Sequence, residues 1–444
     1  MADHTQTLSL ILTMIRSGMA VTRPELVRQT GLGRTIVTQR VDDAMKAGIL
    51  AEGEHAPSTG GRPSRTLCIA KGKAVVLAMV FGATRVHAAV VDLDGTILVD
   101  RRKIWDIETG PEESLATFFG IAAELLTPDL RGRLWGVCVG VPGPVDFARG
   151  VSVAPPIMRG WDGFPIRERI EDHFGVPAWV DNDVNLMTLG AWSATRMSAG
   201  DNLLLVKAGT GIGMGLISRG RLHRGARGSA GDFGHTIVAE ESRRQCRCGK
   251  FGCLEAFAGG WALTIDARNA ALTGRSVRLA ELLAETPALN VVDLALAAAD
   301  GDLAAGELIK RAGELIGAQL ANVVSVFNPS TVYLAGSMSH AGPIFRDTVA
   351  EAITRRSLPL ATDNLAIANV TLDHYEGVIG AAALAVDELL HPVMLGQWLP
   401  LGAPHGVKAR KDEFTEPFDL DVHMDFLAAA PASSASFPPA SRTA

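Results

Sequence analysis

Gly231-Asp232-Phe233-Gly234-His235, followed after ten intervening residues by Cys246-Arg247-Cys248-Gly249-Lys250-Phe251-Gly252-Cys253-Leu254-Glu255, is the stretch from which the rest of the chain is read. One imidazole and three thiols fall at metal-ligand spacing, and a carboxylate follows. Zn²⁺ imposes no geometry of its own and takes His nitrogen and Cys thiolate in a tetrahedron; four protein ligands leave no position open for water. The pattern predicts a structural Zn²⁺ held by His235, Cys246, Cys248 and Cys253, bracing a loop rather than performing chemistry. Of the five cysteines only Cys68 and Cys138 fall outside it, and both lie in apolar runs that read as buried strands. That usage suits a reducing compartment better than a disulfide framework.

Working outward, short apolar segments bounded by glycine begin at residue 74, over 74–81, 85–92 and 96–104, and alternating helices and strands follow. This is the texture of an α/β body. Helical spacing of Leu303, Leu308, Ile309, Ala312, Leu315, Ile316, Leu320, Val323 and Val324 predicts a long buried helix ahead of a strand at 331–335. A helix over 378–390 is expected to close the fold. Beyond about residue 392 Pro, Gly, Ser and Ala dominate, a composition that buries too little surface to offset chain entropy. The chain therefore reads as three parts: a head over 1–70, a body over 71–391 and a disordered tail over 392–444. No internal repeat of about 20 to 50 residues is evident.

In the head, Leu8, Leu10, Ile11, Leu12, Met14 and Ile15 repeat at helical spacing, and Thr22 is placed to cap a second helix with Pro24 in its first turn. Thr30-Gly31-Leu32-Gly33 breaks the pattern. A third helix then runs over 34–47, with Ile36, Val37, Val41, Ala44 and Met45 on one face and Gly48 ending it. Ile49-Leu50 opens a strand, and Ser58-Thr59-Gly60-Gly61-Arg62-Pro63 forms the tip of a wing, so the head reads as a winged helix-turn-helix domain. The second helix of such a pair presents polar and basic residues to the major groove. Arg34, Thr35, Thr38, Gln39 and Arg40 supply them, Arg62 is placed to reach the minor groove, and operator DNA is the expected partner. A three-helix protein-interaction module is the competing reading, against which the Gly60-Gly61-Arg62-Pro63 tip argues.

Charge leaves this open without proving it: residues 1–66 carry eight Lys/Arg against six Asp/Glu, leaving 34 against 42 for the remainder. No run approaches the ~20 apolar residues of a membrane span, and the amino terminus lacks a signal-peptide pattern. A cytoplasmic protein with no membrane partner is expected.

Four segments of the body, in order, carry a resemblance. Gly140-Val141-Pro142-Gly143-Pro144-Val145-Asp146, Asp181-Asn182-Asp183-Val184-Asn185, Gly209-Thr210-Gly211-Ile212-Gly213 and the Gly231-to-Glu255 stretch resemble the early Gly/Pro loop, the Asn-Asp-x-Asn site, the second phosphate loop and the signature of the ROK family of repressors, open reading frames and sugar kinases. The resemblance implies an actin-like ATPase fold for the body. It also implies that Asn182, Asp183, Asp232, His235 and Glu255 hold a sugar's hydroxyls, for which carboxylates, an amide and an imidazole supply paired donors and acceptors. His235 would ligate zinc through one ring nitrogen and turn the other toward the sugar. Taken alone, Asp183 and Asn185 would equally serve to cap the following helix. Asp232 departs from the family's usual Glu by one methylene, about 1.5 Å of reach, which leaves the sugar's identity open. A homodimer or dimer of dimers is implied as well.

Kinases of the family end their first strand in Asp-x-Gly-Gly-Thr, where the Asp positions metal and phosphate. The matching residues here are Val80-Phe81-Gly82-Ala83-Thr84, and the late glycine-rich loop is reduced to Ala335-Gly336-Ser337. Val80 cannot bind a hydrated metal, and Ala83 places a methyl group where backbone N–H groups must approach an anion. The expectation is a sugar-responsive transcriptional regulator, repressing carbohydrate-metabolism genes without ATP or Mg²⁺. The alternative is an ATP-dependent sugar kinase with Asp183 as general base.

Overall fold

The structure is a computed structural model that describes residues 2–55, 64–195, 202–286 and 288–410. They divide into two compact units, 2–70 with 390–400 and 71–389 with 401–410.

In the first unit, helices α1 (Ala2–Ser17), α2 (Arg23–Thr30) and α3 (Arg34–Lys46) precede an antiparallel pair, β1 (Leu50–His55) and β2 (Arg65–Ile69). Thr22 and Glu25 form a reciprocal box at the start of α2: the Glu25 N–H donates to Thr22 Oγ1, and Glu25 Oε2 accepts from the Thr22 N–H. Leu8, Ile11, Leu12, Met14, Leu26, Val37, Val41 and Ala44 are fully buried and make the core. This is the expected winged helix-turn-helix; its tip, with Arg62, lies outside the described residues. Two side chains depart from expectation: Ile36 is 39 % exposed at the edge of the α3 core stripe, and Cys68 is exposed on the outer face of β2.

The larger correction concerns the segment expected to be disordered from residue 392. The helix Pro392–Trp398 buries Met394, Leu395 and Trp398 and packs on α1. Residues 408–410 then tie back to the second unit, where Lys408 Nζ reaches Asp172, the Ala409 N–H donates to Glu171 Oε1 and Arg410 Nε donates to Glu388. Three apolar residues within one helical turn were hidden by the composition of a long polar tail. Residues 411–444 lie outside the described residues.

The second unit holds two five-stranded mixed sheets. In the first, β3 (Val75–Phe81), β4 (Arg85–Asp92) and β5 (Ile97–Ile104) form an antiparallel meander, β6 (Leu134–Val141) joins β3 in parallel, a short hairpin β7 (Val145–Asp146) and β8 (Val151–Ser152) follows, and β9 (Ala178–Asn182) joins β6 in parallel. In the second, β10 (Leu203–Ala208), β11 (Ile212–Ser218) and β12 (Arg221–Leu222) form the meander, and β13 (Thr331–Ala335) and β14 (Ala366–Asn369) join in parallel. Every residue of β6 is buried, as a strand covered on both faces requires.

Helix α4 (Asp183–Thr195) starts where β9 ends. Later come α5 (Leu254–Ala258), α6 (Gly260–Leu272), the long α7 (Leu303–Phe327) ahead of β13 as expected, and α8 (Glu376–Leu389). α4 and α8 meet backbone to backbone: a β-carbon on Gly190 would lie 1.8 Å from the Glu376 carbonyl oxygen, and one on Gly380 would lie 1.7 Å from that of Leu186. That crossing fixes the first turn of α4, where Asp183 sits. Among the described residues no single helix is long and apolar enough to cross a membrane.

Candidate functional site

The three cysteines and His235 converge. His235 Nδ1 lies 3.5 Å from Cys246 Sγ, Cys248 Sγ lies 3.7 Å from Cys253 Sγ, and the four candidate ligand atoms all lie within 4.8 Å of one another. A tetrahedron with Zn–S of about 2.3 Å and Zn–N of about 2.05 Å has S···S edges of about 3.8 Å and N···S edges of about 3.5 Å. The donor set therefore fits Zn²⁺ in both chemistry and spacing. Burial, with Cys248 and Glu255 adding to it, pushes the Cys246 thiol up to about 12. Three thiolates share so small a volume only when a cation balances them. Tight packing holds the loop: a β-carbon on Gly252, at φ 77, would stand 2.2 Å from the Ala239 carbonyl oxygen.

The residues expected to hold a sugar gather around the β10–β11 hairpin. His235 keeps Nε2 on the side away from Cys246, 4.0 Å from Asp232 Oδ1, and the Asp232 side chain is 52 % exposed. Their turn rests on β11, whose Met214 N–H donates to the Gly231 carbonyl. Glu255, buried at the start of α5, accepts from the Ile212 N–H at 2.9 Å through Oε2 and from Trp261 Nε1 at 3.1 Å through Oε1. It thereby fastens the cysteine loop to the glycine loop. A β-carbon on Gly211 would stand 2.6 Å from Glu255 Oε2, so this fastening requires glycine there.

Asn182 caps α4, its Oδ1 accepting from the Val184 and Asn185 N–H groups, while Nδ2 donates to the Gly143 carbonyl at 2.9 Å and anchors the Gly/Pro loop. Capping thus falls to Asn182; the Asn185 side chain instead donates to Asp181 Oδ1 at 2.9 Å. Asp183 is almost wholly buried. Its Oδ1 accepts from the Val184 N–H at 3.0 Å and its Oδ2 is paired with the Lys207 ammonium.

Sequence reasoning did not find these cations. Arg224 donates to Asp181 Oδ2 through Nε at 2.8 Å, with Nη2 at 2.7 Å, and lies 4.0 Å over the Phe147 ring. Arg247 stands 3.7 Å from Glu255 and 5.3 Å over the Trp261 ring. Each of these three buried carboxylates has a cation beside it, drawn for Asp181 and Asp183 from another segment of the chain and for Glu255 from within the cysteine loop, and no spacing rule signals such pairs. Val80 is packed between two glycines, its methyls 3.2 to 3.3 Å from where a Gly140 β-carbon would be and 3.3 to 3.4 Å from that of Gly377.

On α3, Arg34, Thr35, Thr38 and Gln39 are exposed, as groove-facing residues must be. Arg40 is not one of them. Its side chain is 12 % exposed, Nε donates to Thr7 Oγ1 at 2.9 Å, and Nη1 lies 3.9 Å from Asp43. Three residues after Val37 and one before Val41, position 40 falls on the buried side of the helix, where it braces α3 against α1.

The comparisons with known proteins follow this division. A xylose repressor of Caldicellulosiruptor bescii is 26 % identical over 385 residues, covering 86 % of this chain and 95 % of that protein. A glucokinase of Halalkalibacterium halodurans is 28 % identical over 313 residues, covering 69 % of this chain and 93 % of its own. The fold matches the crystal structure of a ROK family transcriptional regulator, a homolog of the E. coli MLC protein, with a TM-score of 0.74 at 23 % identity, over 90 % of this chain and 99 % of that one. The ROK family profile matches residues 76–388, taking in both sheets, the glycine loop and the cysteine cluster, and the chain belongs to the ROK family.

Proposed function

We propose that this protein is a sugar-responsive, DNA-binding transcriptional repressor of carbohydrate-metabolism genes, acting in the cytoplasm as a homodimer or dimer of dimers around a structural Zn²⁺. One observation carries the reading: a single chain joins a winged helix-turn-helix, with Arg34, Thr35, Thr38 and Gln39 exposed on α3, to a cleft where Asn182, Asp183, Asp232, His235 and Glu255 surround one hairpin. The xylose repressor aligns over 86 % of this chain, enough to take in both units.

Vicinal hydroxyls find acceptors in Asp183, Asp232 and Glu255 and a donor in His235 Nε2. Zn²⁺ at Nδ1 supplies a fixed tautomer and ring orientation, so the metal acts on the sugar through geometry alone. Asp183 is the first residue of α4, α4 crosses α8, and α8 leads within three residues into the helix Pro392–Trp398 that packs on α1. A sugar that favours one setting of α4 therefore biases an element built into the head. Half-sites lie about 34 Å apart per helical turn, so a small rotation misplaces the second reading helix of a dimer.

Retention of Asp183 and the glycine loop favours an ATP-dependent sugar kinase as the second reading. Against it stand the apolar packing of Val80, which leaves no carboxylate for Mg²⁺, and the prior engagement of both Asp183 oxygens. Gel-shift titration against the chain's own upstream DNA, with and without a panel of monosaccharides, tests the repressor. Sugar-dependent ATP turnover abolished by Asp183→Asn would establish the kinase instead.

A further inference from the structure

Strand β5 stands at one edge of the first sheet and pairs only with β4. From Val99 to Ile104 it keeps unbroken register with β4, while the backbone groups on its far side meet no strand among the described residues. Its surface is open: Leu98, Val99 and Ile104 are 44 %, 37 % and 83 % exposed. Beside it runs a groove of about 550 Å³, lined by Leu98, Asp100, Leu372, Tyr375 and Ile379 among others. Soluble proteins ordinarily shorten, bend or cover such an edge, because a long one recruits another strand.

Side chains alternate across β5. Asp100 accepts from Tyr375 Oη at 3.4 Å, and Arg102 Nη2 donates to the Asp373 carbonyl at 2.9 Å, so this face looks onto the groove and the start of α8. Arg101 and Lys103 take the opposite face. There Arg101 Nε lies 3.5 Å from Glu124 of the helix Pro111–Leu125, and Lys103 Nζ stands 5.8 Å over the Trp105 ring. The free edge therefore has Leu372 and Ile379 on one side and two exposed cations on the other.

The chain itself carries a segment of complementary pattern. In Phe418-Asp419-Leu420-Asp421-Val422-His423-Met424-Asp425-Phe426 every even position is apolar and every odd one polar, with Asp at 419, 421 and 425. That is the period of a strand with one apolar and one acidic face, whereas a helix would scatter the same apolar residues over both sides. The reach suffices as well. Arg410 is bonded to Glu388, nine residues along α8 from Ile379 in the groove wall, or about 14 Å at 1.5 Å per residue. The seven residues 411–417 span up to about 25 Å when extended.

We propose that residues 418–426 add to the free edge of β5 in the same chain as a sixth strand. Leu420 and Val422 face Leu372 and Ile379, and Asp419, Asp421 and Asp425 lie beside Arg101 and Lys103. Backbone pairing holds the segment, and the charge pattern decides which face it turns to the groove. Residues 371–375 of the groove wall form the passage from β14 into α8, so the docked segment also braces the link between the two sheets. The inference is independent of the sugar-binding reading.

Zero-length carbodiimide coupling of the full-length, zinc-loaded protein at low salt, followed by digestion and mass spectrometry, tests the contact without any variant. The expected product joins Lys103 to Asp419, Asp421 or Asp425. In a mixture of isotopically light and heavy protein both ends of that product carry the same label. Hydrogen exchange supplies the second measurement: amides of residues 99–104 that point away from β4 should exchange at least about tenfold faster once Leu420→Asp and Val422→Asp are introduced together. Products of mixed label would overturn the proposal by placing a second copy's segment on β5. Absence of the Lys103 product, or β5 exchange unmoved by the double substitution, overturns it equally.

Discussion

Replacing Cys248 by Ser separates the metal's role from that of the sugar residues. Cys248 is the half-buried thiol of the three, whereas Cys246 and Cys253 are 3 % and 0 % exposed, so the change removes a ligand with little repacking. Serine is a poor zinc ligand at neutral pH, and three remaining donors do not close the tetrahedron. Two of the proposed sugar contacts depend on that closure: His235, whose Nδ1 faces the cluster, and Glu255, two residues after Cys253. A hydrogen bond to a charged group contributes about 1.5–3 kcal/mol and a neutral one about 1 kcal/mol. Mispositioning both therefore costs about 2.5–4 kcal/mol, roughly 70- to 900-fold in sugar affinity. Elemental analysis gives the zinc content, and calorimetry gives the affinity for whichever of xylose, glucose, N-acetylglucosamine or their anionic derivatives binds the unmodified protein. A Cys248→Ser protein that has lost its zinc and still binds that sugar with unchanged affinity refutes the coupling.

Gly211→Ala pushes a methyl group onto Glu255 Oε2 and breaks its bond to the Ile212 N–H; sugar affinity should fall by about 1.5–3 kcal/mol with zinc content retained, read by the same two measurements. On the head, Arg34→Ala should weaken operator binding in a gel shift by about 1–3 kcal/mol at unchanged melting temperature. Arg40→Ala should do the reverse, lowering the melting temperature through loss of its bond to Thr7. Arg224→Met strands Asp181, whose side chain is 2 % exposed, and should destabilise the body by about 3–5 kcal/mol in urea unfolding, less whatever its remaining bonds to Asn182 and Asn185 retain. Adding Asp181→Asn should recover most of that loss, and a double variant no more stable than the single one would show that the pair does not act as a unit.

What the sequence disclosed was local. Periodicity located the helix over 303–327 and the strands of the first meander to within a residue or so, because period and flanking glycines act over a few positions. The capping box at Thr22 and the cysteine cluster were legible for the same reason: their partners are neighbours in the chain. Arg40 was misassigned because basic composition on a helix says nothing about which face it occupies. The helix Pro392–Trp398 was missed because its partner, α1, lies at the opposite end of the chain. The cations beside Asp181, Asp183 and Glu255 belong to the same class, 43, 24 and eight residues away, brought together by folding alone.

The duplication of the body escaped sequence reading too, and it bears on the chemistry. Each half begins with a three-stranded meander whose first strand is then joined by a parallel neighbour, β3 by β6 and β10 by β13. Each first strand turns into the second through three residues, 82–84 in one half and 209–211 in the other. Val80 and Lys207 are both penultimate in those first strands, pairing with Gly140 and Ala335 of the parallel neighbour. They are topological equivalents, one apolar and packed between glycines, the other charged and fastened to Asp183. An actin-like kinase needs a carboxylate at the first position to manage a metal and a free base at the second site. Here the charge stands in the other half, with the opposite sign, and it engages Asp183. On the repressor reading proposed above, the ammonium that occupies Asp183 takes up the carboxylate a sugar kinase would use as its base, so releasing it with Lys207→Met should raise sugar-dependent ATP turnover only if the chain is a kinase after all.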